Sequence, residues 1–370
     1  MGMVLSSSSQ LPPGLWGVVT AVQANFYRVQ LHCHPSPTDI TVPTSHLLCI
    51  RRARLKKIGQ QVMVGDWVEV VDPDWEGERG AIARVYPRQT MLDRPAIANV
   101  DQILLVFSLA EPDLDPCQLS RFLVKAESTD LEVVVCLNKQ DLVQPETAQR
   151  WQVRLQQWGY SPVVLSLQPQ PRETHLMAYL HSKTTVICGP SGVGKSSLIN
   201  HLIPQARLRT GSVSGRLGRG RHTTRHVELL ALEAEGFIAD TPGFNQPDLT
   251  LAPQDLGRCF PEIRQHLNSR GLCQFSDCLH RDEPGCAVGT DWDRYPFYLA
   301  FLTELMAIQD STHPRQEKQI LFKNKTSGLG TTHQEPLLQP KKYRRVSRRR
   351  QNQSLDWLRQ SPSDPLDDSD

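Results

Sequence analysis

Between residues 14 and 88 the chain is written in short runs of alternating apolar and polar positions. Gly17-Val18-Val19-Thr20-Ala21-Val22 and Phe26-Tyr27-Arg28-Val29-Gln30-Leu31 are two such runs. Val68-Glu69-Val70-Val71 follows the turn signal Gly65-Asp66, and Ala81-Ile82-Ala83-Arg84-Val85 is a fourth. A period of two marks strands with one buried face. About five short strands in about 75 residues predict a small closed barrel, best matched by an OB-fold, a class that often binds nucleic acid.

From about residue 95 the texture changes. Continuous apolar runs at 103–109, 131–137, 163–167, 184–188 and 237–239 alternate with helical stretches at 118–127, 147–158 and 196–202. Strands buried on both faces and separated by helices predict a parallel sheet covered on both sides. Residues 252–310 read as mainly helical. The Ser- and Pro-rich start and the polar stretch from about 310 onward bury too little to fold and are expected to be disordered. The predicted division is a disordered 1–13, a barrel at 14–90, an α/β domain at 95–248, a helical domain at 249–310 and a disordered tail at 311–370.

Composition changes this picture little. The 370 residues are 39% hydrophobic and 22% charged, ordinary for a globular protein. No run approaches the ~20 apolar residues of a membrane span, and the N-terminus lacks a secretory pattern. The reading is therefore a cytoplasmic monomer with no membrane partner. Charge matters more through its placement than through its net value of +2. Residues 51–57 carry five cations in seven positions, 341–350 carry seven in ten, and the last ten residues carry four Asp. Such clusters suit a phosphate backbone, and a solvated face or tail explains either of them equally well. Of nine cysteines, Cys33, Cys49, Cys117, Cys136, Cys188 and Cys259 are scattered and read as small buried hydrophobes. The other three cluster.

The chemistry lies in four motifs. Gly189, Pro190, Ser191, Gly192, Val193, Gly194, Lys195 and Ser196 fit G-x-x-x-x-G-K-S/T, with Ser197 adding a second hydroxyl. A strand precedes the motif and a helix follows it, the context in which backbone N–H groups and a helix start cradle phosphates. Lys195 is then placed for the β- and γ-phosphates and Ser196 for Mg²⁺. Asn138-Lys139-Gln140-Asp141 follows the strand at 131–137 and fits N-K-x-D. The Asp141 carboxylate can accept both guanine ring N–H and exocyclic amine, a pattern adenine lacks. That disfavours an ATP-using enzyme. Ser166 is a candidate for a second base-contacting loop, although Leu167 stands where a small residue is usual.

Asp240-Thr241-Pro242-Gly243 fits D-x-x-G, with Asp240 placed for Mg²⁺ and the Gly243 N–H for the γ-phosphate. Residues 218–225 before it are cationic and hydroxyl-bearing. One of Thr223 and Thr224 is the expected metal-sensing hydroxyl, with Thr224 preferred. The alternative is a basic RNA-contacting loop, and both roles can coexist. Phe244 occupies the place of the water-orienting Gln found in many GTPases, so His222 is the local catalytic candidate. Finally, Cys273, Cys278, His280 and Cys286 offer three thiolates and an imidazole within 14 residues. Four such ligands can close a structural tetrahedral zinc site; free thiols or a redox pair are the alternatives.

N-K-x-D precedes the phosphate loop, and D-x-x-G follows it, so the usual motif order is circularly permuted. With the barrel, the His222-Thr223-Thr224 segment and the Cys/His cluster, residues 14–310 resemble the ribosome-small-subunit-dependent GTPase A (RsgA) family. The resemblance implies a multidomain protein: an OB-fold β-barrel, a circularly permuted α/β P-loop GTPase domain and a mainly helical zinc-binding domain. It implies GTP hydrolysis to GDP stimulated by the small ribosomal subunit, contact with its rRNA and a role in late subunit maturation. It supports zinc at the cluster and His222 as catalytic candidate, and it leaves 311–370 without a role. The competing reading is an RNA-binding assembly module in which GTP only switches affinity and turnover is incidental.

Overall fold

A computed structural model of the chain describes residues 14–32, 44–93, 95–167, 176–208, 227–232, 236–240, 248–312, 322–326 and 332–336. The expected disordered N-terminus, residues 218–225, Phe244 and Cys33 lie outside them, as does most of the tail. The chain divides into two units after Ile308.

Five strands make the barrel: β1 (Leu15–Gln23), β2 (Phe26–His32), β3 (His46–Arg51), β4 (Trp67–Asp74) and β5 (Arg79–Val85). They close in the order β1-β2-β3-β5-β4, with β3 parallel to β5 and the remaining pairs antiparallel, which is the OB arrangement. Inward positions two apart, Tyr27, Val29 and Leu31 on β2 and Leu47 and Cys49 on β3, fill the interior with Val19, Val68, Val70 and Ile82. A short helix, α1 (Ala53–Lys57), follows β3 and plugs the barrel with Leu55. Asp66 is fully buried at the turn into β4. Its carboxylate accepts from Arg88 Nε at 2.7 Å and from the Met63 N–H at 2.8 Å.

A hairpin of β6 (Met91–Asp93) and β7 (Ala96–Ala98) leads to the central sheet. Along the chain this sheet is built from β8 (Gln102–Ser108), α2 (Pro116–Glu127), β9 (Glu132–Asn138), α3 (Pro145–Gln157), β10 (Val163–Val164) and α4 (Leu176–Leu180). It continues with β11 (Thr184–Cys188), α5 (Lys195–Leu202), β12 (Leu229–Leu232) and β13 (Gly236–Asp240). The strand order is β10-β9-β8-β11-β13-β12, parallel throughout except for β12.

Every residue of β8 is buried because both faces of the strand are covered. Ile103, Leu105 and Phe107 meet α2 and α3, whereas Leu104 and Val106 meet α4 and α5. On the first face the core under α2 and α3 takes in only Cys188 at the end of β11, and the rest of β11 and β13 is covered differently. There Val186, Phe237 and Ala239 pack with Val18 of the barrel and with Val64, Leu92, Ile97 and Val100, so the barrel takes the place of a helix layer.

The helical region contains α6 (Pro261–Arg270) and α7 (Tyr295–Thr312). Its core of Leu256, Phe260, Ile263, Tyr298, Phe301 and Leu302 includes Val124 of α2, so it docks directly on the α/β domain. Arg294 is fully buried and is bidentate to Glu262 at 2.7 and 2.5 Å. Its guanidinium lies 4.5 Å from the Phe260 ring centre and 5.0 Å from that of Trp158, just past the end of α3. Next to it, Asp293 accepts from Arg154 and from Trp158 Nε1, and the Arg154 bond holds its carboxyl below the usual range.

The expected strands and helices of the α/β domain are present, with the third apolar run shortened to the two residues of β10. β3, α1, α4, β12 and the β6–β7 hairpin are additions to the sequence reading. A two-stranded hairpin of Phe322–Thr326 and Thr332–Pro336 stands in the tail expected to be disordered. Cys49, Cys136, Cys188 and Cys259 are fully buried, as expected, whereas Cys117 in the first turn of α2 is only half-buried, and burial pushes the Cys49 and Cys136 thiols up to about 12.

The Glu262–Arg294 pair yields a test. Glu262→Ala leaves a buried guanidinium unpaired and is expected to destabilise the chain by ~3–5 kcal/mol. Urea unfolding measures this, and a midpoint unchanged from wild type contradicts it.

Candidate functional site

The carboxyl ends of the parallel strands form one edge, the place where open α/β sheets bind ligands. Two motifs meet there. The phosphate loop runs from the end of β11 into α5. Gly189, Gly192 and Gly194 all have positive φ. A β-carbon on Gly189 would lie 2.1 Å from the Val106 carbonyl oxygen of β8, and one on Gly194 would lie 2.4 Å from Asn138 Nδ2, so both positions require glycine. Lys195 folds back across the loop, donating to the carbonyls of Gly189 at 2.8 Å and Pro190 at 2.6 Å. Val193 is buried under the loop, Ser191 and Ser197 are exposed, and Ser196 stands half-buried in the first turn of α5.

The N-K-x-D loop continues β9. Asn138 is 2% exposed, and its Nδ2 donates to the Val193 carbonyl at 2.9 Å while its Oδ1 accepts the Lys139 N–H at 2.8 Å. One side chain thus ties the base loop to the phosphate loop. Lys139 has a left-handed φ of 60°, and its ammonium donates to the Glu111 carbonyl. Asp141 is exposed at the edge. Its Oδ1 accepts from Ser166 Oγ at 2.5 Å, and the Gln140 N–H donates to the Leu165 carbonyl at 3.2 Å, so Ser166 belongs to this cluster despite Leu167.

Asp240 ends β13 in register with Ile187 of β11, which puts its backbone at the same edge, next to the phosphate loop. His222, Thr223, Thr224 and Gly243 lie outside the described residues.

The Cys/His cluster sits between α6 and α7. The sulfurs of Cys273, Cys278 and Cys286 are each 3.6 Å from His280 Nδ1, Cys273 and Cys286 are 4.0 Å apart at sulfur, and all four atoms lie within 4.8 Å of one another. A disulfide needs about 2.05 Å between sulfurs, so these thiols are not joined as one. Four ligand atoms around one ion with bonds of about 2.0–2.3 Å stand about 3.5–3.8 Å apart, which fits. Burial raises the Cys278 thiol to about 12 and lowers His280, so the imidazole is neutral and able to ligate, while thiolate formation needs a cation's help. Glu283, which no motif announces, folds the loop by accepting the N–H groups of Leu279 at 3.2 Å and Arg281 at 2.6 Å. Its signal was an acidic residue three positions from a ligand, too common to read. These residues can hold a metal ion.

The pattern of the family described as RsgA GTPase matches residues 85–250. The chain is 56% identical to the small ribosomal subunit biogenesis GTPase RsgA of Trichormus variabilis over 94% of this chain and 97% of that one. It is similar to the crystal structure of YjeQ from Thermotoga maritima, with 30% identity and a TM-score of 0.64 over 79% of this chain and 98% of that one. It is also similar to YloQ, a circularly permuted GTPase, with 30% identity and a TM-score of 0.62 over 81% and 96%. A match over 94% of the chain is longer than residues 1–310 supply, so part of the extension that the resemblance left out is shared with the Trichormus protein.

Asn138 gives the site its direct test. Asn138→Ala removes both bonds and leaves the Val193 carbonyl without this partner, at an expected cost of ~2–3 kcal/mol. Hydrogen exchange of the amides at 189–196 should quicken in the variant relative to wild type, and unchanged exchange there contradicts the tie.

Proposed function

Because this chain belongs to the RsgA GTPase family, we propose that it binds GTP, hydrolyses it to GDP and does so on the small ribosomal subunit during its late maturation. The observation that carries the nucleotide reading is the Asn138–Val193 hydrogen bond, which sets a guanine-reading loop and a phosphate loop on one edge. Asp141, steadied by Ser166, accepts the guanine N–H groups. The N–H groups of 189–195 and the Lys195 ammonium take the phosphates. Ser196, Asp240 and Thr224, with Thr223 as the alternative, are the proposed Mg²⁺ ligands. When bound, Mg²⁺ neutralises charge on the β- and γ-phosphate oxygens. Gly243 senses the γ-phosphate, and His222 orients the attacking water.

Contact with rRNA is supported by the barrel. Leu55 is buried, so α1 turns Arg54, Lys56 and Lys57 outward, beside exposed Arg52. Arg28 and Phe26 stand exposed on β2, and β2 and β3 form the usual OB ligand face. The names of curated relatives such as the Trichormus protein support the small subunit as the partner. The Cys273, Cys278, His280, Cys286 set is proposed to bind zinc, since three sulfurs and an imidazole leave no place for water and suit a structural ion.

GTP turnover by the purified chain, with and without small ribosomal subunits, tests the function. Subunits are expected to raise turnover ~10-fold or more, and Lys195→Ala to lose both binding and turnover. Turnover indifferent to subunits favours a GTP-switched binding module instead. Elemental analysis is expected to find one zinc per chain, lost in Cys278→Ala; wild type free of metal contradicts the zinc assignment.

A further inference from the structure

The connection from β8 to α2, residues 109–115, carries none of the nucleotide motifs, yet two hydrogen bonds tie it to the base loop and a third folds it back on the end of β8. β8 and β9 run side by side with Ser108 opposite Asn138, so this connection leaves the sheet beside N-K-x-D. The Leu109 N–H donates to the Asn138 carbonyl at 3.0 Å. The Lys139 ammonium donates to the Glu111 carbonyl. Ser108 Oγ donates to the Pro112 carbonyl at 2.7 Å.

Ser108 ends a strand that is otherwise apolar after Gln102, and it is 1% exposed. A hydroxyl there is costly to desolvate and packs no better than a methyl group. What it adds is closure. Its bond to Pro112 folds residues 109–112 back against the strand end. The far end of the connection is held separately, by buried Leu114 and by the Asp115 carboxylate capping the Cys117 N–H at 2.9 Å. Between these two fixed points the Glu111 carbonyl meets Lys139.

Both residues of that contact are in the left-handed region, Glu111 at φ 52° and Lys139 at φ 60°. Residues with a β-carbon avoid this region unless their surroundings over-determine it. The Asn138 side chain fixes the Lys139 backbone N–H. The Glu111 carbonyl fixes the other end of the side chain, and a lysine held at both ends presents a fixed aliphatic stem.

We infer that Ser108 is a positioning residue of the guanine pocket, setting the Glu111 carbonyl that holds Lys139 in place as one wall for the base. The inference rests on the guanine-nucleotide reading above. It assigns Ser108 to base binding and leaves the phosphate and metal chemistry untouched.

The test measures affinity of the full chain for a fluorescent GDP analogue, together with KM and kcat for GTP. Ser108→Ala is expected to weaken GDP binding and raise KM ~5–10-fold, the effect of one lost buried hydrogen bond, with kcat at saturating GTP within about twofold of wild type. Ser108→Cys fills the space with a thiol, somewhat larger than the hydroxyl and only a weak donor, and it is expected to shift affinity the same way, so the measurement survives if the alanine variant folds poorly. The variant combining Ser108→Ala with Lys139→Ala should bind no more weakly than Lys139→Ala alone. Unchanged affinity in both Ser108 variants overturns the inference while wild-type binding leaves the nucleotide reading standing. So does an additive double variant, or a loss confined to kcat. A wild-type chain that binds no guanine nucleotide overturns both.

Discussion

One buried amide holds the site together. Asn138 donates to the Val193 carbonyl and accepts the Lys139 N–H, joining two segments that are far apart in sequence and would otherwise only be neighbours. Much of the local structure follows from making room for it. Gly194 must lack a β-carbon because Asn138 Nδ2 already occupies that space, and Gly189 must lack one because β8 does. The result is an edge on which β9 and β11, each paired with β8, are linked by one side chain that reaches from the end of β9 to the loop after β11. Circular permutation is tolerable for the same reason. What the site needs is strand ends side by side, and the order in which the chain visits them is secondary.

The site was legible where its chemistry is contiguous. The phosphate loop, N-K-x-D, D-x-x-G and the Cys/His cluster are each written within 14 residues or fewer, so spacing alone displays their geometry. The strands of the central sheet were legible because burial on both faces leaves no polar position to interrupt them. What the sequence hid is pairwise and long-range. Glu262 and Arg294 look like ordinary surface charges until packing brings them together between aromatic rings. Ser108 reads as the polar end of a strand, and its role depends on carbonyls that have no sequence signature. β12 is four residues after a basic stretch, and it exists because β13 offers it an edge. The hairpin at 322–336 lies in a composition that predicts disorder; its polar strands, FKNKT and THQEP, gave no apolar alternation to read.

The clustered cysteines behave unlike the scattered ones, and the difference is geometric. Cys136 and Cys188 are sealed inside the sheet, where burial drives both thiols upward, outweighing the nearby Lys195 ammonium at Cys188. Cys273, Cys278 and Cys286 converge with His280 on a single point, where a cation would stabilise the charged form. That point lies between α6 and α7, and Asp293, which accepts from Arg154, fastens the same region to α3.

The two connections that bear the proposed switch residues begin and end at held positions. Residues 209–226 run from Leu208, bonded to the Asn200 side chain at 2.7 Å, to Glu228, which bridges to Ala21 of the barrel and pairs with Arg28 at 2.9 Å. Residues 241–247 run from β13 to a segment whose Leu249 is buried in the core of the helical region. The Arg28–Glu228 pair is half exposed and contributes little by itself. Its importance is where it sits, on the strand that follows the first connection. In a sheet with the common motif order both connections would end within the same domain. Here the first still returns to the sheet at β12, beside which Glu228 touches the barrel, while the second leads out into the helical region, where Leu249 is buried.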